Sequence, residues 1–266
     1  QSFGSSDNND MKYRWRKDNT LNRYNSLPRT PVRISDKEME EEIILETNLC
    51  STLSFIVLDS LSLLSKIFSE RISRNTLISP QLLGGNASIC NFRGKYASDE
   101  FVVASVFHAL LQLLSSNQSA NVLEAALHYQ RAFLFNFPDL LFVEGLPEVE
   151  FCSELCYILL KHCASRIEII RSQASASMYL LMRQHHQFPT QYSRIKTQIT
   201  MSLSQLVGTS RSFNELYVRR SLKSILKYAI IDSSVKESQF PKQIHELIFN
   251  LHMILSDTIQ MKEHEK

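Results

Sequence analysis

Backbone punctuation is scarce along this chain: 6 Gly and 7 Pro in 266 residues, where average usage would supply roughly thirty of the two together. A sandwich or barrel needs a Gly, Asn or Pro turn about every 8 to 12 residues, and a doubly wound α/β fold needs glycines where strands pass into helices. Both lose ground, and an all-α fold gains it. Apolar residues make up 44% and charged residues 21%, which suits a soluble globular chain with a real core, as one large or two small domains.

Four regions differ in character. Residues 1–36 are rich in Asn, Ser, Asp, Arg and Pro with few aliphatics, so they bury too little surface to offset the entropy of ordering and read as a disordered arm. Residues 37–70 predict a long amphipathic helix, with Ile44, Leu45, Leu49, Leu53, Ile56, Val57, Leu61, Leu64 and Phe68 stepping by threes and fours along one apolar face. Residues 71–97 collect Pro80, Gly84, Gly85 and Gly94 in an irregular insertion, long enough to read as a mobile loop. Residues 98–266 read as a succession of helices with short breaks. With Gln1 at its start and Lys266 inside a charged helical pattern, the chain reads as a piece of a longer polypeptide.

In that last region Ser98 is placed to cap the first helix, and the second runs from Ala120 to Phe137, ended by Pro138. A pair follows over 148–164 and 166–188, stopped by Pro189, then another over 191–207, closed by Gly208, and 214–231. Pro241 opens the last helix, a position proline tolerates because the first helical N–H is unpaired anyway. Pair starts at 98, 148, 191 and 241 predict an armadillo/HEAT-like array of antiparallel helix pairs, whose known units repeat at about 40 to 47 residues. An irregular bundle of evenly sized helices is the competing architecture.

Cys152, Cys156 and Cys163 share a helix face with Leu159 and Leu160, so they read as core packing, a role free cysteines fill as small apolar groups, rather than as zinc ligands. His162 lies off that stripe and is expected in solvent. His185 and His186 fall near a helix end, where imidazole can meet unpaired carbonyls; as neighbours on a helix they point apart and make a poor ligand pair. P-loop, dinucleotide, nucleophile-elbow, zincin and calcium-loop patterns are missing from the sequence. No catalytic residue, cofactor or metal ligand is assigned. Five cysteines, an odd number, argue against a disulfide framework and fit a reducing cytosolic setting. The triplets starting at Asn86 and Asn117 are taken as chance glycosylation matches.

The net charge of +2 is local: the arm carries +3, leaving −1 on the other 230 residues. A balanced body lacks the basic stripe that nucleic acid would need. Within the arm, Arg23 stands three residues before Ser26 and Pro28 two after it. Basophilic kinases and then 14-3-3 proteins read that arrangement, because a phosphate adds nearly two negative charges for an arginine cluster to bind. Thr30, before Pro31, is the second candidate phosphosite. An unmodified flexible tail is the plainer reading of the same residues.

Four runs in the C-terminal half carry a resemblance. They are Ile170-Arg171-Ser172-Gln173-Ala174-Ser175-Ala176-Ser177-Met178-Tyr179-Leu180-Leu181-Met182-Arg183, the stretch from Gln198 to Gly208, Arg219-Arg220-Ser221-Leu222-Lys223-Ser224-Ile225-Leu226, and Asn250-Leu251-His252-Met253-Ile254-Leu255-Ser256-Asp257-Thr258 through His264. In order and spacing they resemble the helical region just before the catalytic DHR-2 domain of DOCK (dedicator of cytokinesis) guanine nucleotide exchange factors. The Val-Gly-Thr and Leu-His-Met-Ile-Leu-Ser-Asp runs look most like the C, zizimin-related, subfamily. The resemblance covers residues 98 to 266, clearest from 166, and leaves the arm and the 71–97 insertion unmatched. It implies a cytoplasmic protein, recruited to the plasma membrane through other domains, that speeds GDP release from Rac or Cdc42. In that family exchange resides in DHR-2 and phosphoinositide binding in DHR-1, so no functional residue carries over to this segment. The implied partners are the Rho-family GTPase, through DHR-2, and the downstream exchange domain itself. A free-standing helical-repeat adaptor whose arm recruits a phospho-reader is the alternative.

Overall fold

The computed structural model describes residues 36–78, 97–137, 151–187, 189–209 and 213–264. Every regular element among them is a helix: α1 (Asp36–Ile78), α2 (Ala97–Ser115), α3 (Ala120–Asn136), α4 (Phe151–Cys163), α5 (Glu168–His186), α6 (Pro189–Thr209), α7 (Glu215–Ile231) and α8 (Phe240–His264). The fold is all-α. Contacts divide the chain into two units, Gln1–Ile43 and Ile44–Lys266. Of the first, the described residues are 36–43, which begin α1; the second holds the remaining elements. The expected arm falls outside the described residues, as do residues 79–96 of the expected insertion.

In the larger unit, packing follows a rule. Helices α2, α4, α6 and α8 touch in succession, as do α3, α5 and α7, and α2 meets α3, α4 meets α5, and α7 meets α8. Each helix therefore lies beside the one two places along the chain, and two sequential rows result. That is how stacked helix pairs bury a continuous core. The pair starts, at residues 97, 151, 189 and 240, are less evenly spaced than the sequence predicts. Layering, rather than period, defines the array.

The burial pattern explains each helix's place. On α4, Phe151, Cys152, Leu155, Cys156, Ile158, Leu159, Leu160, His162 and Cys163 are all buried. A helix apolar nearly all round belongs at the centre, and α4 touches α2, α5, α6 and α7. Outer helices carry a single apolar stripe, such as Val218, Leu222, Ile225 and Ala229 on α7. Rings close the joints: Phe107 stacks on Phe133 at 5.2 Å and meets Phe151 edge-on at 5.4 Å, tying α2, α3 and α4. Phe240 lies 4.8 Å from His186 and 6.1 Å from Tyr192 and Tyr179, joining α5, α6 and α8.

Several boundaries differ from expectation. Helix α1 runs on to Ile78 instead of ending at 70, so the first third of the expected insertion is helical. Ser98 lies within α2 rather than capping it. Pro189 opens α6 as its first residue, because a proline there gives up only an N–H that has no helical partner. Gly208 falls inside the last turn of α6; a Cβ there would meet nothing within 4 Å, so the position does not require glycine. Asn214 is the N-cap of α7, its side chain accepting from the Tyr217 N–H at 3.3 Å.

The largest departure is on α1. Of the face expected to enter the core, Leu61 is buried and Phe68 packs partly against the core, whereas Leu45, Leu49, Leu53, Ile56, Val57 and Leu64 are exposed. The packed side is instead Ser54, Leu58, Leu61 and Ser65. Its hydroxyls bond across to neighbouring residues: Ser54 Oγ donates to Gln118 at 2.9 Å, and Tyr129 on α3 donates to the Leu61 carbonyl at 2.7 Å while also meeting Ser65. By length and composition α1 is apolar enough to cross a membrane.

Candidate functional site

Two of the clusters singled out in the sequence converge at one end of α4. Cys152 lies in its first turn, and His185 comes from the end of α5 to place Nε2 3.7 Å from the Cys152 Sγ. The opposite ring nitrogen, Nδ1, is 2.9 Å from the Leu181 carbonyl. Hydrogen bonding from Cys156, and after it the imidazole of His185 and the charge of Arg194, bring Cys152 down to about 5 against the opposing effect of burial. Cys156 moves up, because it bonds to Cys152 and is itself enclosed. Burial lifts Cys163 to about 12. All three cysteines are buried and unbridged, so the core reading of the stripe describes their placement, while the thiol and imidazole pairing of Cys152 with His185 lay outside it.

The two histidines of the 185–186 pair diverge, as neighbours on a helix must. Neither caps the last turn as expected: His185 turns into the core, and His186 lies against Phe240 and Tyr192. His162 is a second correction. It is buried rather than solvated, with Nε2 2.8 Å from the carbonyl of Leu114. Beside it, Lys161 donates to the Ser115 carbonyl at 3.2 Å. Leu114 and Ser115 end α2, whose final carbonyls have no helical partner. The last turn of α4 thus caps a neighbouring helix, and a polar ring is tolerated in the core because its N–H meets an orphan acceptor.

Arginines knit the other row. Arg131 on α3 donates to the Gln173 carbonyl at 3.2 Å, to Gln173 Oε1 at 2.7 Å and to Ser177 at 2.9 Å on α5. Arg183 on α5 pairs with Asp232 at 3.0 Å, and Tyr179 donates to the same carboxylate at 2.6 Å. Hydrogen bonds from Ser234 and Tyr179 hold Asp232 below the usual carboxylate range. Arg219 on α7 reaches Ser256 on α8 at 2.8 Å.

Between α1 and α3 lies a recess of about 300 Å³, lined by Ser62, Ser65, Lys66, Tyr129, Phe133 and Asn136. Among the described residues, no three His, Cys, Asp or Glu side chains gather where a metal could be held. Ser26 and Thr30 lie outside the described residues.

No family model matches the chain, and no solved structure matches it. Its curated homologues are dedicator of cytokinesis proteins. The chain is 43% identical over 265 residues to dedicator of cytokinesis protein 7 of Mus musculus, 40% over 264 to protein 6 and 34% over 255 to protein 8 of the same species. These alignments take in 95 to 100% of this chain and 11% of each relative. The chain thus spans about a ninth of the length of the relatives it matches. Similarity reaches into residues 1–97 as well, which hold none of the four runs that carry the resemblance.

Proposed function

We propose that this chain is the helical-array segment of a dedicator of cytokinesis protein, and that it acts as a non-catalytic support for a downstream DHR-2 exchange domain serving Rac or Cdc42. The observation that carries the reading is similarity to these proteins along the whole chain. The layered array fits it: stacked helix pairs present extended surfaces for protein contact, and the polar bridges between α3, α5, α7 and α8 give such a support the stiffness to hold a neighbour in place. Placement in the C subfamily rests on the Val-Gly-Thr and Leu-His-Met-Ile-Leu-Ser-Asp runs. A cytoplasmic setting, with membrane recruitment through other domains, follows from the same reading.

Residues 1–266 alone are expected to leave GDP release from Rac and Cdc42 at its spontaneous rate, measured with a fluorescent nucleotide. A polypeptide that continues into a DHR-2 domain is expected to accelerate it. Acceleration by the 266-residue chain would overturn the division of labour.

A further inference from the structure

The cysteines at the two ends of α4 are both buried, yet their surroundings push them in opposite directions. Cys163, in the last turn, has the Ser175 hydroxyl 4.0 Å from its sulfur, and burial holds it as a thiol, up at about 12. Cys152, in the first turn, has polar neighbours drawn from three helices. They are Cys156 one turn along α4, His185 with Nε2 at 3.7 Å from the end of α5, and the charge of Arg194 on α6. The unpaired N–H groups of a helix start favour negative charge at the same place. Brought down to about 5, Cys152 is a thiolate at neutral pH, the nucleophilic form of cysteine. Cys156 is moved the other way and keeps its proton. A thiolate with a thiol one turn away has the arrangement of an attacking and a resolving cysteine. Cys152 retains 3% of its surface and Cys156 none, so a small oxidant gains access through the first turn of α4, since helix ends open at least cost.

We propose that Cys152 and Cys156 form an oxidation-responsive pair, in which hydrogen peroxide converts Cys152 to a sulfenic acid and Cys156 then closes it to a disulfide. In the first step the Cys152 sulfur attacks one peroxide oxygen, an S–O bond forms as the O–O bond breaks, and the leaving hydroxide takes the proton that the thiol gave up and departs as water. In the second, the Cys156 sulfur attacks the sulfenic sulfur, S–S forms as S–O breaks, and the hydroxide leaves with the Cys156 proton as a second water. The two sulfurs together lose two electrons and the peroxide gains them. Residues one turn apart on a helix hold their Cβ atoms about 5–6 Å apart, whereas a disulfide brings them to about 3.8 Å. Closing the bridge therefore draws in the first turn of α4. Phe151 lies in that turn, edge-on to Phe107 of α2 at 5.4 Å, so oxidation is transmitted to the joint of α2, α3 and α4.

Hydrogen peroxide added to the reduced 266-residue chain at neutral pH, followed by alkylation of the remaining thiols and peptide mass spectrometry, tests this. The peptide that holds Cys152 and Cys156 should become lighter by two hydrogens while Cys50, although exposed, is still reduced, and dithiothreitol should reverse the change. Cys156→Ser should stop the reaction at a Cys152 sulfenic acid that dimedone traps, and Cys152→Ser should leave Cys156 reduced. His185→Gln should slow oxidation of Cys152 several-fold. Arg194→Gln, at a half-buried position, should slow it with helical circular dichroism unchanged. Amide exchange in the first turn of α4 should rise on oxidation and return on reduction. Oxidation of Cys50 with Cys152 still reduced, a bridge that omits Cys156, or a rate that neither His185→Gln nor Arg194→Gln alters would each overturn the proposal. So would oxidation of Cys152 seen only in denaturant, which would leave both cysteines as core side chains.

Discussion

At the scale of single residues, His162 has the sharpest thermodynamic consequence. Burial lowers its affinity for a proton, against the opposing effect of its bond to Leu114. Its value in the unfolded chain is about 6.5. The unfolded state therefore takes up the proton first as pH falls, and the stabilisation is fully present above about 6.5 and is lost as pH drops through the lowered folded value. Urea midpoints measured from about pH 7.5 to about pH 5.5 should fall for the native sequence. His162→Gln should be less stable at neutral pH by about 1–3 kcal/mol, the cost of disturbing a buried pairing, and should show a shallower pH slope. Equal slopes would mean that the imidazole does not carry the effect.

At the scale of elements, the bridges between helices of one row set their register. Arg131 is the clearest, because one guanidinium serves three acceptors on α5. Arg131→Met keeps the packing stem and removes the donors; chemical denaturation should report a loss of about 1–3 kcal/mol, in the range for charged hydrogen bonds. A cycle with Gln173→Ala should then give a coupling clearly above zero, and strict additivity would rule the bridge out. Element type was readable because it depends on local periodicity: the helices over 166–188, over 214–231 and from 241 onward, and the buried cysteine face of α4, followed from the sequence pattern alone. Boundaries were harder wherever one residue serves two ends. Pro189 reads equally as a stop for α5 and a first turn for α6, and Gly208 reads as a terminator although it lies within the helix. His162 could not be placed from its own helix, since its partner is a carbonyl on α2. The face of α1 failed for the same reason. Two stripes compete there, and the serine-bearing one wins because Tyr129 and Gln118 satisfy its hydroxyls.

At the scale of the whole molecule, enclosure should order the opening of the helices. Helix α4 touches four others and is buried on nearly every side, whereas α1 exposes most of its apolar length. Amide hydrogen exchange under native conditions should therefore be slowest in α4 and the facing turns of α5, and fastest in α1 from Ile44 onward, because protection follows local burial. Comparable rates in α1 and α4 would show that the array opens as one cooperative body. An array of this kind derives its stability from contacts between neighbouring helices, so a core substitution in α4 would be felt on both sides of it.

The capping of α2 by the last turn of α4 has a consequence for how such a chain can change in length. Deleting or inserting one residue between Leu155 and Lys161 turns everything beyond it by 100° and moves it 1.5 Å along the axis. Lys161 and His162 would then swing away from the Ser115 and Leu114 carbonyls, and the displaced imidazole would be left in an apolar wall. Residues 164–167, which join α4 to α5, carry no such phase. Length variation among descendants of this sequence should accumulate in the joints and spare the interior of α4, with helical phase acting as a reading frame.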